Sequence, residues 1–230
     1  MSSVFRRDLR RARAVAWKDL RTERRSLANF SGVLFLALLM LLLFAFALGP
    51  DAQAMREAAA GIIWLAILFS GVLAFNRSYQ IELDDGAFET LLLYPGARWP
   101  IFVGKLTANL AFVLAVELIV VPLAAVLFHV TMTGAAMMIA LVLLLGTIGF
   151  VTLGTFYAAV ASRTRAREVL LPLLLFPMLV PVLIAAAKAT TALVAGDVMG
   201  DTGSWVRLLL AFDLIFLTAS LAIYDVVISG

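Results

Sequence analysis

Residues 30–48 read FSGVLFLALLMLLLFAFAL, an apolar run of 19 residues that carries no charge and is followed at once by Gly49-Pro50. About 20 apolar residues in a helix cross the hydrocarbon core of a bilayer, so this run predicts a transmembrane helix. The rest of the chain has the same character. Hydrophobic residues make up 63% of its 230 residues and charged residues 14%, against roughly 45–50% and 25% in soluble domains.

Five more apolar runs follow the first one. They cover residues 58–75, 101–128, 135–161, 169–187 and 205–227. Only residues 129–134 separate the third run from the fourth, and we interpret Pro122 and Gly134 as breaks that favour two helices joined by a tight turn. We therefore predict an all-α integral membrane protein with six transmembrane helices over residues 29–230.

The positive charges orient these spans. Of the 18 Lys and Arg residues, 15 fall in the N-terminal segment and in alternate connections, and only Arg56, Lys188 and Arg207 fall on the other side. Because Lys and Arg concentrate in cytoplasmic loops, both termini are predicted to be cytoplasmic. Although the net charge is +3, the positions of the basic residues are an orientation signal, and we expect no nucleic-acid partner.

The N-terminal segment, residues 1–28, has a helical pattern of its own. Its apolar residues recur at steps of three and four: Phe5, Leu9, Ala12, Ala16 and Leu20. Arginines occupy the other positions, which is typical of an amphipathic helix lying in the inner membrane interface. The alternative is a disordered basic arm.

A secretory signal is a second interpretation of the same region. Ala52-Gln53-Ala54 has the small-residue pattern of a cleavage site. The apolar part of a signal peptide is about 7–15 residues long, and the run at 30–48 is longer, so we expect the first helix to be retained.

The sequence holds little that could perform catalysis. It has one histidine, His129, and no cysteine. Gly104-Lys105 resembles the end of a phosphate-binding loop, but Leu106 stands where Ser or Thr is needed and no glycine lies five residues upstream. We expect no enzymatic activity, no metal and no cofactor bound by this chain. His129 could be a haem ligand, but a polar helix end is the favoured interpretation.

Two carboxyl groups fall inside predicted spans, where polar groups are costly. Glu117 lies near the middle of the third span and Asp213 about two turns into the sixth. One interpretation is a polar path or a switch between packed states. The favoured one is structural, with both carboxyls satisfied by Asn, Thr or backbone groups of neighbouring helices.

The long inner connection, residues 76–100, carries an acidic pattern. Glu82, Asp85 and Glu89 are spaced i, i+3 and i+7, which places them on one helical face. An apolar series accompanies them: Ile81, Phe88 and Leu92. We predict a short amphipathic helix or helical hairpin that docks on a basic protein surface, because anionic lipid would repel it. The alternative is a solvated connection on the headgroups.

Two blocks of sequence resemble a known family. The first consists of GIIWLA at 61–66, Arg77, DDG at 84–86, Phe88-Glu89 and LLLYP at 91–95. The second consists of LLGTIGF at 144–150, REVLLP at 167–172, Pro177 and VPVL at 180–183. In order and spacing, from about residue 15 to the C-terminus, the chain resembles the haem exporter protein B (CcmB) family, the membrane subunit of the cytochrome c maturation system.

This resemblance implies an ABC-2-type permease-like bundle in the bacterial inner membrane. A separate cytoplasmic ATPase subunit would hydrolyse ATP and couple it to the release of haem or of a haem-loaded chaperone. The residues that the resemblance assigns to ATPase coupling are Arg77, Glu82, Asp84, Asp85, Glu89, Tyr94 and Pro95. Haem would be the handled substrate.

The other implied partners are a six-helix haem-handling subunit with a tryptophan-rich outer motif, a small one-helix subunit and a periplasmic haem chaperone. This chain has only four tryptophans, so we do not expect it to be the main haem-holding subunit. The alternative function is a generic six-helix ABC-2-type permease subunit for a substrate other than haem.

Overall fold

A computed structural model describes residues 2–25, 27–84, 96–130, 135–162, 167–197 and 200–229. These residues form seven helices: α1 (Ser2–Arg25), α2 (Leu27–Leu48), α3 (Ala52–Asp84), α4 (Trp99–Leu127), α5 (Ala136–Ser162), α6 (Arg167–Val194) and α7 (Thr202–Ser229). Helices α2 to α7 are each long and apolar enough to cross a membrane. The predicted all-α architecture with six spans is confirmed, and an even number of spans leaves both ends of the described chain on one side.

Helix α3 is longer than the predicted second span at both ends. It begins at Ala52 because the Asp51 carboxylate accepts hydrogen bonds from the backbone N–H groups of Gln53 and Ala54, at 2.9 and 3.1 Å. It continues to Asp84, since no Gly or Pro interrupts the polar sequence after Phe75. The first part of the predicted inner connection, residues 76–84, is therefore a continuation of α3.

The division between α4 and α5 is confirmed, but one of its predicted causes is not. Pro122 lies inside α4 instead of ending it, as membrane helices tolerate. The helix ends at Leu127, two residues before His129, whose φ of 55° lies in the left-handed region, and the Val130 N–H closes the turn on the Ala125 carbonyl at 2.9 Å. The described backbone thus gives His129 the role of a helix terminator.

Helix α6 is also longer than predicted, because it runs to Val194 instead of ending near residue 187. The hydroxyl groups of Thr190 and Thr191 donate to the carbonyls one turn earlier, at 2.7 and 2.9 Å. This internal bonding satisfies polar side chains within an apolar helix. Gly196, with φ of 87°, then ends the helical course.

Helices α3 and α5 form the centre of the bundle. Aromatic rings of α3 lie directly over glycines of α5, Trp64 over Gly146 and Phe75 over Gly154, and Phe150 of α5 lies over Gly71 of α3. Small residues let membrane helices approach closely. Packing contacts then stabilise their association, because the hydrophobic effect does not drive helices together within lipid. The Trp64 indole N–H also donates to Thr190 Oγ1 at 3.2 Å, which ties α6 to the same centre.

Helix α1 confirms the predicted N-terminal amphipathic helix but divides its apolar residues between two faces. Ala12 and Ala16 are buried, whereas Phe5 and Leu9 are exposed. The helix packs mainly against α4, and small side chains let it approach α4 closely. The larger apolar side chains are left on an open face.

Candidate functional site

A buried lysine joins three helices at the inner end of the bundle, the end that the arginine-rich segments mark. Lys105, in the second turn of α4, is fully buried. Its ammonium nitrogen lies 3.3 Å from Asp19 Oδ2 of α1 and 3.3 Å from the Ser78 carbonyl oxygen of α3. It also lies 4.5 Å from the centre of the Tyr79 ring, a distance at which a cation and an aromatic face attract.

Helix α7 joins this cluster through its last turns. The Tyr224 hydroxyl lies 3.5 Å from the Tyr79 hydroxyl, and the Tyr224 ring lies 5.1 Å from that of Phe102. The adjacent Asp225 carboxylate accepts a hydrogen bond from the backbone N–H of Arg98 at 2.9 Å. We call Asp19, Ser78, Tyr79, Lys105 and Tyr224 the inner junction. It fixes the inner ends of α1, α3, α4 and α7 to one another.

The inner junction lies at the base of the predicted coupling segment. Ser78 and Tyr79 precede the last turn of α3, which contains Glu82 and Asp84. The side chains of Glu82 and Asp84 lie outside the described part of the structure, as do Asp85, Glu89, Tyr94 and Pro95 entirely. Arg77 is described and is exposed.

The sequence interpretation missed the inner junction. Lys105 is one of the 15 positive residues on the predicted cytoplasmic side, and its partner Asp19 lies 86 positions away. One signal was available: a lysine one turn inside an apolar span needs a carboxylate or carbonyl partner. Both residues of Gly104-Lys105, the pair that resembles the end of a phosphate loop, make contacts between helices: Lys105 binds Asp19 and the Ser78 carbonyl. Gly104 packs against Val15 and Ala12 of α1.

Glu117 is satisfied inside the bundle. Its carboxylate accepts a hydrogen bond from the Thr147 hydroxyl of α5, and about two turns closer to the inner side Asn109 donates to Thr155 Oγ1 at 3.0 Å. Glu117 also lines a narrow cavity between α2, α3 and α4, with room for about one water molecule. For Glu117, the described contacts support the structural interpretation.

Asp213 has a different environment. It is 8% exposed, and neither carboxylate oxygen has a hydrogen-bond partner among the described residues. Its Oδ1 lies against Gly149 of α5. Since Thr147 and Gly149 are two positions apart on α5, they point to nearly opposite faces. The two intramembrane carboxyls, Glu117 and Asp213, are therefore separated by α5 and do not form one site.

Comparison with known proteins identifies the family of this chain. A family model described as CcmB protein matches residues 10–227. The chain is similar to "Heme exporter protein B" of Rhodobacter capsulatus, with 33% identity over 76% of this chain and 80% of the relative. It is also similar to the proteins of that name from Paracoccus denitrificans, with 31% identity over 80% and 84% of the two chains, and from Haemophilus influenzae, with 30% identity over 76% and 79%. With most of its length matched, this six-span chain belongs to the CcmB protein family.

Proposed function

We propose that the chain is the permease-like membrane subunit of an ABC transporter complex that exports haem or delivers it for c-type cytochrome biogenesis. The observation that carries this proposal is the likeness to relatives named "Heme exporter protein B" over three quarters or more of this chain. The family match itself runs from residue 10 to residue 227 and so includes nearly the whole of all six spans. The proposed location is the bacterial inner membrane.

ATP hydrolysis in this proposal belongs to a separate cytoplasmic subunit. Lys105 is the one residue that resembles a nucleotide-binding lysine, and it is fully buried against Asp19 and the Ser78 carbonyl. A phosphate-binding lysine instead reaches its ligand from a glycine-rich loop whose N–H groups face the phosphates. The chain's part in the complex is to receive a conformational change, not to drive one.

The proposed contact with the ATPase is the acidic segment that begins in the last turn of α3. Glu82, Asp85 and Glu89 give it a negative face, and a basic surface on the partner would complement that face. A helix transmits displacement better than a flexible loop, and α3 is continuous from Ala52 to Asp84. Its outer half thus moves with its inner end.

The inner junction supports this proposal physically. It attaches the end of α3 to α4 through Lys105 and to α7 through the Tyr79–Tyr224 contact. Beyond the junction, Phe75 of α3 packs over Gly154 of α5. A displacement of the acidic segment would therefore move several spans together.

Complementation tests the proposed function. A bacterial strain that lacks its own family member is given this gene, and covalently bound haem in c-type cytochromes is measured by haem staining. We expect restored staining, together with copurification of an ATPase subunit. Normal membrane insertion without restored staining, in a strain that the Rhodobacter capsulatus relative does restore, contradicts a role in haem delivery and favours a permease for another substrate.

A further inference from the structure

Helix α1 has a face whose large apolar side chains the described part of the chain leaves largely exposed. Phe5 is 60% exposed, Leu9 46% and Trp17 66%. At about 100° per residue, Arg6 and Arg13 fall between Leu9 and Trp17, and both arginines are exposed. We call Phe5, Leu9, Trp17, Arg6 and Arg13 the open face of α1.

The adjoining side of α1 is fixed to the transmembrane bundle. Its buried residues are Asp8, Ala12, Val15 and Ala16. Two of them, Ala12 and Val15, meet α4 at Gly104, where an added Cβ would lie 2.6 Å from Val15 Cβ and 2.7 Å from the Ala12 carbonyl oxygen. Such close approach needs glycine, so α1 is held directly against the first turns of a span.

This attachment sets the depth of the open face. The Phe5 ring stacks on the Trp99 ring with centroids 6.2 Å apart, and Trp99 is the first residue of the α4 span. Tryptophan side chains at the ends of spans are typical of the headgroup region. The open face of α1 therefore lies at the level where acyl chains meet headgroups.

We propose that the open face of α1 binds the anionic headgroups of the inner leaflet. We further propose that the Asp19–Lys105 ion pair couples this binding to the stability of the inner end of α3. The chemistry fits one occupant. Three large apolar side chains match the acyl boundary, and the two arginines among them match lipid phosphates and carboxylates. An acidic protein partner would match the arginines but would leave Phe5, Leu9 and Trp17 without an apolar counterpart at membrane depth.

The connection to α3 is direct. Asp19 lies on α1 two positions after Trp17, and its carboxylate is 3.3 Å from Lys105 Nζ. The same ammonium group donates to the Ser78 carbonyl of α3 at 3.3 Å. Lys105 is thus a positioning residue between the lipid-bound helix and the base of the acidic segment. Its consequence for ATP coupling rests on the proposed function, but the two contacts do not.

Hydrogen exchange on the full chain in nanodiscs tests the proposal without any partner. Discs of phosphatidylcholine alone are compared with discs that contain phosphatidylglycerol as well. We expect the α1 amides to exchange more slowly in the anionic discs, and the amides of residues 78–84 to slow with them. In Arg6→Gln/Arg13→Gln, the difference in α1 exchange rate between the two kinds of disc should shrink by roughly fivefold for each arginine removed.

The matched control is Arg7→Gln/Arg21→Gln, which removes the same charge from exposed positions outside the open face. It should keep most of the lipid response. Lys105→Met should keep the response in α1 but lose it in residues 78–84. Equal exchange in the two kinds of disc, or equal loss in both arginine variants, overturns the lipid site. A response of residues 78–84 that persists in Lys105→Met overturns the role of the ion pair. Neither result depends on whether the ATPase docks on the acidic segment.

Discussion

The ammonium group of Lys105 lies 3.3 Å from the Asp19 carboxylate, although α1 and α4 are separated by two transmembrane spans in the sequence. The two residues are not equally dependent on this contact. Lys105 is fully buried, whereas the Asp19 side chain is 12% exposed and also lies 3.2 Å from Lys18 Nζ. Removing one partner therefore has a different cost from removing the other.

We predict that Asp19→Asn destabilises the protein more than Lys105→Met does. The first change leaves a buried ammonium group without its carboxylate, which costs about 3–5 kcal/mol at most. The second leaves a carboxylate that keeps Lys18 and some solvent, so we expect about 1–2 kcal/mol, the cost of an imperfectly paired polar group. Unfolding midpoints in mixed dodecyl maltoside–SDS micelles measure the difference. The reverse order would contradict the assigned burial of Lys105.

A second prediction concerns the contact between Trp64 and Gly146 at the centre of the bundle. An added methyl group at Gly146 would overlap the indole ring, and overpacking of this kind costs typically 1–3 kcal/mol. Gly146→Ala should lower the unfolding midpoint accordingly. Gly61→Ala is the matched control, because nothing lies within 4 Å of a Cβ at Gly61. It should be neutral or stabilising by up to about 1 kcal/mol, as expected for Gly to Ala in a helix.

These contacts show what the sequence could and could not predict. The six spans follow from long apolar runs, because hydropathy records directly which residues lie in lipid. The extension of α3 to Asp84 was missed for the same reason. Residues 76–84 are polar and leave the lipid, but nothing in them breaks a helix.

The candidate site was harder to predict from the sequence than the fold. The acidic pattern at Glu82, Asp85 and Glu89 is periodic and local, so one segment of sequence is enough to find it. The inner junction depends on tertiary contacts, such as Tyr79 with Tyr224 across 145 positions. Two residues of ordinary type at the ends of different spans carry no local signal that they meet.

The two intramembrane carboxyls give a third prediction, because one has a hydrogen-bond donor and the other has none among the described residues. Glu117→Gln keeps an acceptor for the Thr147 hydroxyl, so its stability should change by less than about 1 kcal/mol. Asp213→Asn removes a carboxyl group that is costly to bury without a partner, and it should be as stable as the parent or more so. Haem staining then distinguishes a structural role of Asp213 from a role in transport. Normal stability with lost staining in Asp213→Asn would assign Asp213 to the transport mechanism, whereas normal staining assigns it to packing.

The fourth prediction concerns the acidic face of the coupling segment, Glu82, Asp85 and Glu89. Exposed ion pairs contribute about 0–1 kcal/mol each, so Glu89→Ala alone should leave cytochrome maturation almost unchanged. Replacing all three residues by Lys should be far more severe. It turns attraction to a basic partner into repulsion, and opposed like charges can cost several kcal/mol.

The measurement is copurification of the ATPase subunit with the triple variant, followed by haem staining. Because the inner junction holds α3 through Ser78 and Tyr79, the variant should insert and fold normally. It should nevertheless lose the ATPase and mature less cytochrome c. The control is Glu57→Lys with Asp201→Lys, which reverses charges near the opposite ends of the spans and should retain the ATPase. If the triple variant binds the ATPase as the parent does, the acidic face is a solvated surface. The ATPase would then have to act on the inner junction through another part of residues 76–100.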